Sequence, residues 1–221
     1  MAISAEARAE VLRRIRAVTG VAADAVTIDA EWSAIRREYR RAATVDHGAI
    51  LHLLEDRLRD YDAGVYRTSL AGLRDLIGRI LRERGKQTMA VPEGIPGDWL
   101  PAGVLFVEDH RGAVDAIDSC EGVLTSATLA IAETGTIVLQ DAPGQGRRAV
   151  TLLPDYHLCV VDSSTIVQSV PEAMALLQPT AHKATTFFSG PSATADIEMT
   201  RIKGVHGPRF VDVILLLSEP G

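Results

Sequence analysis

An α/β fold, with an open and mostly parallel sheet flanked by helices, is what this 221-residue sequence predicts. From Asp46 onward, stretches with apolar residues at three- and four-residue spacing alternate with short apolar runs bounded by Gly and Pro. Such alternation argues for parallel strands joined by crossover helices. The composition agrees: 47% hydrophobic and 24% charged residues supply a large buried core, in one domain or a domain with an appendage.

The elements follow in order. Ile3, Ala7, Val11, Ile15 and Val18 mark an amphipathic N-terminal helix stopped by Gly20. Its stripe suits packing on the body, the favoured reading, or docking on a partner. Residues 21–45, with the Arg-rich run from Arg36 to Arg41, read as a connection of weak structure, so the chain divides into an N-terminal extension, 1–45, and a domain, 46–221. In that domain Ile50, Leu53, Leu54, Leu58 and Tyr61 mark a helix, Gly64–Arg67 a strand, and Leu70 to Leu81 a second helix ended by Gly85. Strands are predicted at Thr88–Val91, Val104–Val107, Gly122–Thr125, Leu129–Ala132, Thr136–Leu139, Leu158–Val161, Thr185–Ser189 and Val211–Leu217. One helix, Val170–Leu177 with Pro171 in its first turn, interrupts the later ones.

Charge and cysteine usage exclude several classes. The net charge is -6, and it is uneven: residues 1–84 carry 15 Lys and Arg against 13 Asp and Glu, residues 85–221 only 8 against 16. Nucleic-acid binding is disfavoured, because neutralising phosphates needs a basic surface. No apolar run approaches the ~18 residues of a membrane helix, and the acidic Glu6 and Glu10 fit neither a secretory nor a transit signal, so the expected place is the cytoplasm. Cys120 and Cys159 form no CxxC pair, too few thiols for a cysteine-ligated cluster; they read as small buried residues in strands. The six His residues are dispersed, with no metal-binding spacing. His157, entering a strand, reads as a satisfied core histidine.

Four glycine-bearing turns hold the polar residues with chemical potential. In the first, Glu133-Thr134-Gly135 sits at a corner between two strands, where partial desolvation suits Glu133 to acid/base or nucleophilic work; the alternative is a turn carboxylate satisfied by backbone N–H groups. The second, Gly144-Gln145-Gly146-Arg147-Arg148, imitates the dinucleotide fingerprint but is closed by Pro154 before a long helix can follow. Its glycines and paired arginines suit a carboxylate or phosphate, unless the arginines pair with Asp141 and Asp155. The third runs from Ser189 and Gly190 through Ser192 to Asp196, where Ser192, Thr194 or Asp196 suits a helix cap and an anion site. The fourth places His206 and Arg209 before the last strand, His206 as a proton shuttle, a carboxylate binder or a hydrogen-bonded structural residue. Five of the eight cations after residue 84, Arg147, Arg148, Arg201, Lys203 and Arg209, lie in or beside these turns, which admit an anion to an otherwise acidic half.

Read together, Ala-Glu-Thr-Gly-Thr at 132–136, Gly-Gln-Gly-Arg-Arg at 144–148, Leu-Pro-Asp-Tyr-His at 153–157, Ser-Gly-Pro-Ser-Ala-Thr-Ala-Asp-Ile-Glu at 189–198 and Gly-Val-His-Gly-Pro-Arg at 204–209 resemble the LUD domain family over about residues 46–217. The resemblance implies a NagB/RpiA/CoA-transferase-like fold and a part in oxidising L-lactate to pyruvate beside iron–sulfur partner proteins, which hold the redox clusters while this chain holds no cofactor. The expectation is one anion pocket. Glu133 and His206 are its candidate catalytic residues, and Thr134, Gly135, Gly144, Gln145, Gly146, Arg147, Arg148, Ser189, Gly190, Ser192, Asp196 and Arg209 bind the ligand. Two alternatives stand beside it: a transferase or isomerase for a phosphorylated or CoA-linked metabolite with Glu133 as nucleophile or base, and a non-catalytic scaffold or regulatory subunit.

Overall fold

The computed structural model describes residues 5–19, 24–112, 114–195, 201–203 and 207–217. The chain divides into two compact units, 1–39 and 40–221. In the first, helix α1 (Ala5–Thr19) carries Val11, Ile15 and Val18 exposed, and Glu10 pairs with Arg13 and Arg14. The segment read as weakly structured contains a second helix, α2 (Ala25–Ala34). Its start is made by the Asp24 carboxylate, which accepts from Thr27 N at 2.9 Å. The Arg37 guanidinium lies 4.6 Å from the Trp32 ring centre and donates to Trp32 O at its end. No apolar stripe announces this helix, because Val26, Ile28 and Trp32 all stay exposed.

The second unit is layered. Six parallel strands form the main sheet, in the order β1 (Gly64–Thr68), β12 (Phe210–Leu216), β7 (Tyr156–Asp162), β4 (Gly122–Ser126), β2 (Thr88–Pro92) and β3 (Leu105–Asp109). Helix α4 (Leu70–Glu83) covers one face, its Leu73, Leu76, Ile77, Ile80 and Leu81 meeting Leu124, Leu158, Val160 and Ile214. The other face, with Cys159, Val161, Val211, Val213 and Leu215, meets helix α3 (His47–Asp60) and a second sheet. That sheet has the order β8 (Ile166–Val167), β5 (Leu129–Ile131), β6 (Thr136–Gln140) and β9 (Thr185–Phe188), antiparallel except for β5 beside β8. It is apolar on both sides: Ala130, Ile137 and Leu139 join the core toward the main sheet, and Leu129, Ile131 and Val138 pack on helix α6 (Val170–Leu177). Ser169 and Glu172 cap α6 reciprocally.

Four short elements carry too little pattern to be read from sequence: helix α5 (Val114–Asp118), β8, and the two-stranded ribbon of β10 (Ala193–Ala195) and β11 (Arg201–Lys203). The ribbon corrects one expectation, since Thr194, read as a candidate helix cap, lies in a strand. Cys120 is buried as expected but follows α5 rather than lying in a strand. At the start of β12, Asp212 is fully buried and accepts from Arg84 Nε and Nη2 at 2.8 and 2.6 Å and from the Tyr156 hydroxyl at 2.8 Å.

Candidate functional site

The Glu133 corner joins β5 to β6. Its carboxylate is paired with Arg40 and accepts from Gln168 Nε2 at 3.1 Å, while Gln168 Oε1 takes Thr44 N at 2.7 Å. The geometry makes Glu133 a brace that ties residues 40–44 to the second sheet. Beyond it a hydroxyl chain runs from Thr134 to Thr136 at 2.7 Å and on to Ser189 at 2.8 Å. Gly135 and Gly190, both left-handed at φ 61° and 71°, let these corners close on the end of α3: a Cβ on Gly135 would come within 2.8 Å of Arg57 Cβ, and one on Gly190 would collide with Tyr61.

The turn at 141–148 folds over the C-terminal ends of β2, β3 and β4. Gly144 N donates to Glu93 O and Gly144 O accepts from Ser126 N, both at 2.7 Å. Gln145 is buried, its Oε1 taking the Thr128 hydroxyl and Gln140 N at 2.7 Å each, so it pins the turn. Arg147 Nε and Nη2 donate to the buried Asp109 at 2.9 and 3.0 Å, and Nη2 also reaches Gly112 O. Arg111, a non-glycine residue at φ 59°, pairs with Asp141. These groups line a cavity of about 260 Å³ with Pro92, Glu93, Gly94, Ala142, Pro143 and Gly146. Both of its arginines face carboxylates.

Arg148 turns the other way. Its Nη1 donates to Thr151 Oγ1 and O at 3.0 and 3.3 Å, and among the described residues it meets no carboxylate. It lines a cavity of about 280 Å³ between β9 and the starts of β7 and β12, a volume suited to a small metabolite. Thr186, Phe188, Ser189, Gly190, Ser192 and Pro208 contribute walls, and His157 lies among them, 2% exposed, with its ring centre 5.1 Å from that of Phe188. Burial, then the charge of Arg148, hold the His157 ring neutral by pushing its pKa down to about 3.

The candidate residues therefore fall in three places. Arg148, Ser189, Gly190 and Ser192 share one cavity; Gly146 and Arg147 line a second, with Gly144 and Gln145 in the turn that shapes it; Glu133, Thr134 and Gly135 form the corner behind Ser189. The arginines do not pair with Asp141 and Asp155 as the sequence alternative had it; Arg111 and Arg209 do. Arg209 holds Asp155 at 2.6 and 2.8 Å and keeps that carboxyl below its usual range. His206 and Asp196 lie outside the described residues. Thr151, His157 and Pro208 join the Arg148 cavity without having been singled out for it. The signal was the alternation of β7, which puts His157 on the same face as Cys159. Among the described residues no three His, Cys, Asp or Glu side chains gather as a metal site requires, and no helix is long and apolar enough to cross a membrane.

A six-stranded parallel sheet flanked by helices, with a small second sheet and polar turns over the strand ends, places the chain in the α/β class. A model of the LUD domain family matches residues 49–216, and the chain belongs to that family. In particular, it is 38% identical over 217 residues to lactate utilization protein C of Deinococcus radiodurans, covering 96% of this chain and 97% of that one. It is 26% identical over 215 residues to lactate utilization protein C of Halalkalibacterium halodurans, covering 90% of each. The crystal structure of a DUF162 family protein from Deinococcus radiodurans superposes with a TM-score of 0.68 at 34% identity, over 79% of this chain and 99% of that one. The architecture is consistent with a NagB/RpiA-like fold.

Proposed function

We propose that this chain works in lactate utilization, as the subunit that holds a small carboxylate while L-lactate is oxidised to pyruvate beside iron–sulfur partner proteins in the cytoplasm. The similarity to lactate utilization protein C over nearly the whole of both chains supports the pathway. The observation that carries the site is Arg148: a guanidinium that faces a cavity of metabolite size and meets no carboxylate among the described residues. Oxidation of lactate releases two electrons and two protons. The electrons pass to clusters in the partners, as the family resemblance implies, and the two separate buried cysteines of this chain are too few for a four-thiolate cluster.

Glu133 has a different place. Arg40 and Gln168 occupy its carboxylate, which lines neither cavity, and this geometry gives no support to a transferase with Glu133 as nucleophile. The test is genetic and local. Deleting the gene is expected to abolish growth on L-lactate, and the wild-type chain but not Arg148→Met restores it; unimpaired growth of the deletion strain would overturn the assignment.

A further inference from the structure

The two helices of the N-terminal unit are short and bury nothing: among the described side chains of residues 6–39 none is buried. α1 presents Val11, Ile15 and Val18 at 56%, 50% and 87% exposure, and α2 with the residue that ends it presents Ile28, Trp32 and Ile35 at 53%, 65% and 51%. A lone helix shorter than about 12–15 residues is marginal in water, because the unfavourable first turn is followed by too few hydrogen bonds. The ten residues of α2, even with the Asp24 cap, therefore need a cover that the described residues do not supply.

The two stripes match each other in spacing and oppose each other in charge. In each, the three apolar residues stand at i, i+4 and i+7, on one helix face about 10 Å long. Arg8 and Arg14 lie three residues to either side of Val11, next to the stripe of α1; Glu31 follows Ile28 by three residues and Asp29 precedes Trp32 by three, next to the stripe of α2. As a whole α1 holds four Arg against two Glu, whereas α2 with Asp24 holds three carboxylates and no Lys or Arg. The pairs of Glu10 with Arg13 and Arg14 are exposed and contribute little, and they leave α1 net positive.

We infer that the N-terminal unit is a dimerisation module, in which α1 of one copy lies against α2 of a second copy of this chain, apolar stripe on apolar stripe, with the arginines of α1 beside the carboxylates of α2. The occupant follows from the match. Each copy carries both halves of the contact, the two halves stay open within one copy, and a two-fold axis makes the contact twice. Charge decides the pairing: α1 on α1 or α2 on α2 would set like charges side by side, and α1 on α2 sets opposite ones. The inference is independent of the carboxylate site at Arg148.

The experiment is size-exclusion chromatography with light scattering on the full chain, which is expected to run as a dimer and to dissociate on dilution. Ile15→Glu puts a carboxylate into the stripe twice per dimer, opposite an acidic helix, and is expected to raise the dissociation constant about a hundredfold. Arg8→Glu with Arg14→Glu sets acid against acid, and Asp29→Lys with Glu31→Lys sets base against base; each variant alone is expected to be a monomer, and their equimolar mixture a dimer again. Recovery on mixing cannot come from variants that have lost their helices. A monomeric wild type overturns the inference, whether or not the helices then bind an iron–sulfur partner. A wild-type dimer indifferent to Ile15→Glu has its interface elsewhere and overturns it too, and a mixture that stays monomeric refutes the pairing of α1 with α2.

Discussion

Arg147 and Arg148 are neighbours in one glycine-bearing turn, and the fold gives them opposite surroundings. Arg147 turns to the ends of β2 and β3 and is clamped through Nε and Nη2 by the buried Asp109. Arg148 turns to β7 and β9, is held through one nitrogen by Thr151, and faces a cavity. The two cavities have similar volumes, but in the first every arginine has a carboxylate, and a ligand anion there would have to displace one. In the second the cation has no counter-charge among the described residues. What makes an anion site is an uncompensated cation at a concave surface, and the count of arginines in a motif does not report that.

The largest expected effect tests the clamped member. Arg147→Ala leaves Asp109 buried without its partner, and loss of one side of a buried ion pair costs about 3–5 kcal/mol. Urea denaturation should show this as a lower midpoint at unchanged slope. Arg148→Met, by contrast, is expected to shift stability by under about 0.5 kcal/mol, as surface replacements do. If the two replacements cost the same, the contrast between the two arginines fails. The double replacement Arg147→Met with Asp109→Leu should recover most of the loss, because it removes the stranded charge as well.

A second contrast lies within the glycines. Gly144 sits in the turn beside one cavity and Gly190 lines the other while also meeting Tyr61 at the end of α3, whereas Gly135 meets α3 and lines neither cavity. Gly135→Ala forces a side chain into the left-handed region and against Arg57, at a cost of about 1–3 kcal/mol. Since Gly135 lines neither cavity, carboxylate affinity should stay within twofold by calorimetry. A large loss of affinity without loss of stability would return the Glu133 corner to the binding site.

The elements were legible where apolar period and punctuation coincide. α6 lies where the sequence puts a helix of roughly Val170 to Leu177, with Pro171 in its first turn, and Ser169 and Glu172 cap that start. α2 was missed because its start depends on one Asp24 cap and its apolar residues bury no face. The site was legible in its parts and not in its grouping. The partner that removes Arg147 from the anion site lies 38 residues away on β3, and nothing in the spacing of Asp109 announces it. His157 was read as a satisfied core histidine, which is true of Nε2. That the ring also lines a cavity depends on β9 crossing to the start of β7, a placement made by the second sheet. Its partner Thr125 is brought in by the parallel pairing of Val123 with His157.

The last contrast, between a charged arginine and the neutral ring beside it, is testable by acid. His157 has a folded pKa of about 3 against 6.5 for the free side chain, from burial first and then from Arg148. Above pH 6.5 neither folded nor unfolded chain carries the proton, and the residue contributes nothing. Between 6.5 and 3 the unfolded chain takes it up and the folded chain does not, so stability falls with pH by about 1.4 kcal/mol per unit for this one proton. Glu55, where the two flanking arginines outweigh the opposing effect of burial, and Asp155, held low by Arg209, lose their contributions only as pH falls below 4.5 and 3.8. The interval from 6.5 to 4.5 therefore separates the histidine from both. Urea melts at pH 7, 6 and 5 should show the decline in the wild type and a shallower one in His157→Gln; a wild type flat across that interval would mean that the ring is not held neutral. In Arg148→Met the decline should end at a higher pH, because the cation that helps to keep the proton off His157 is gone.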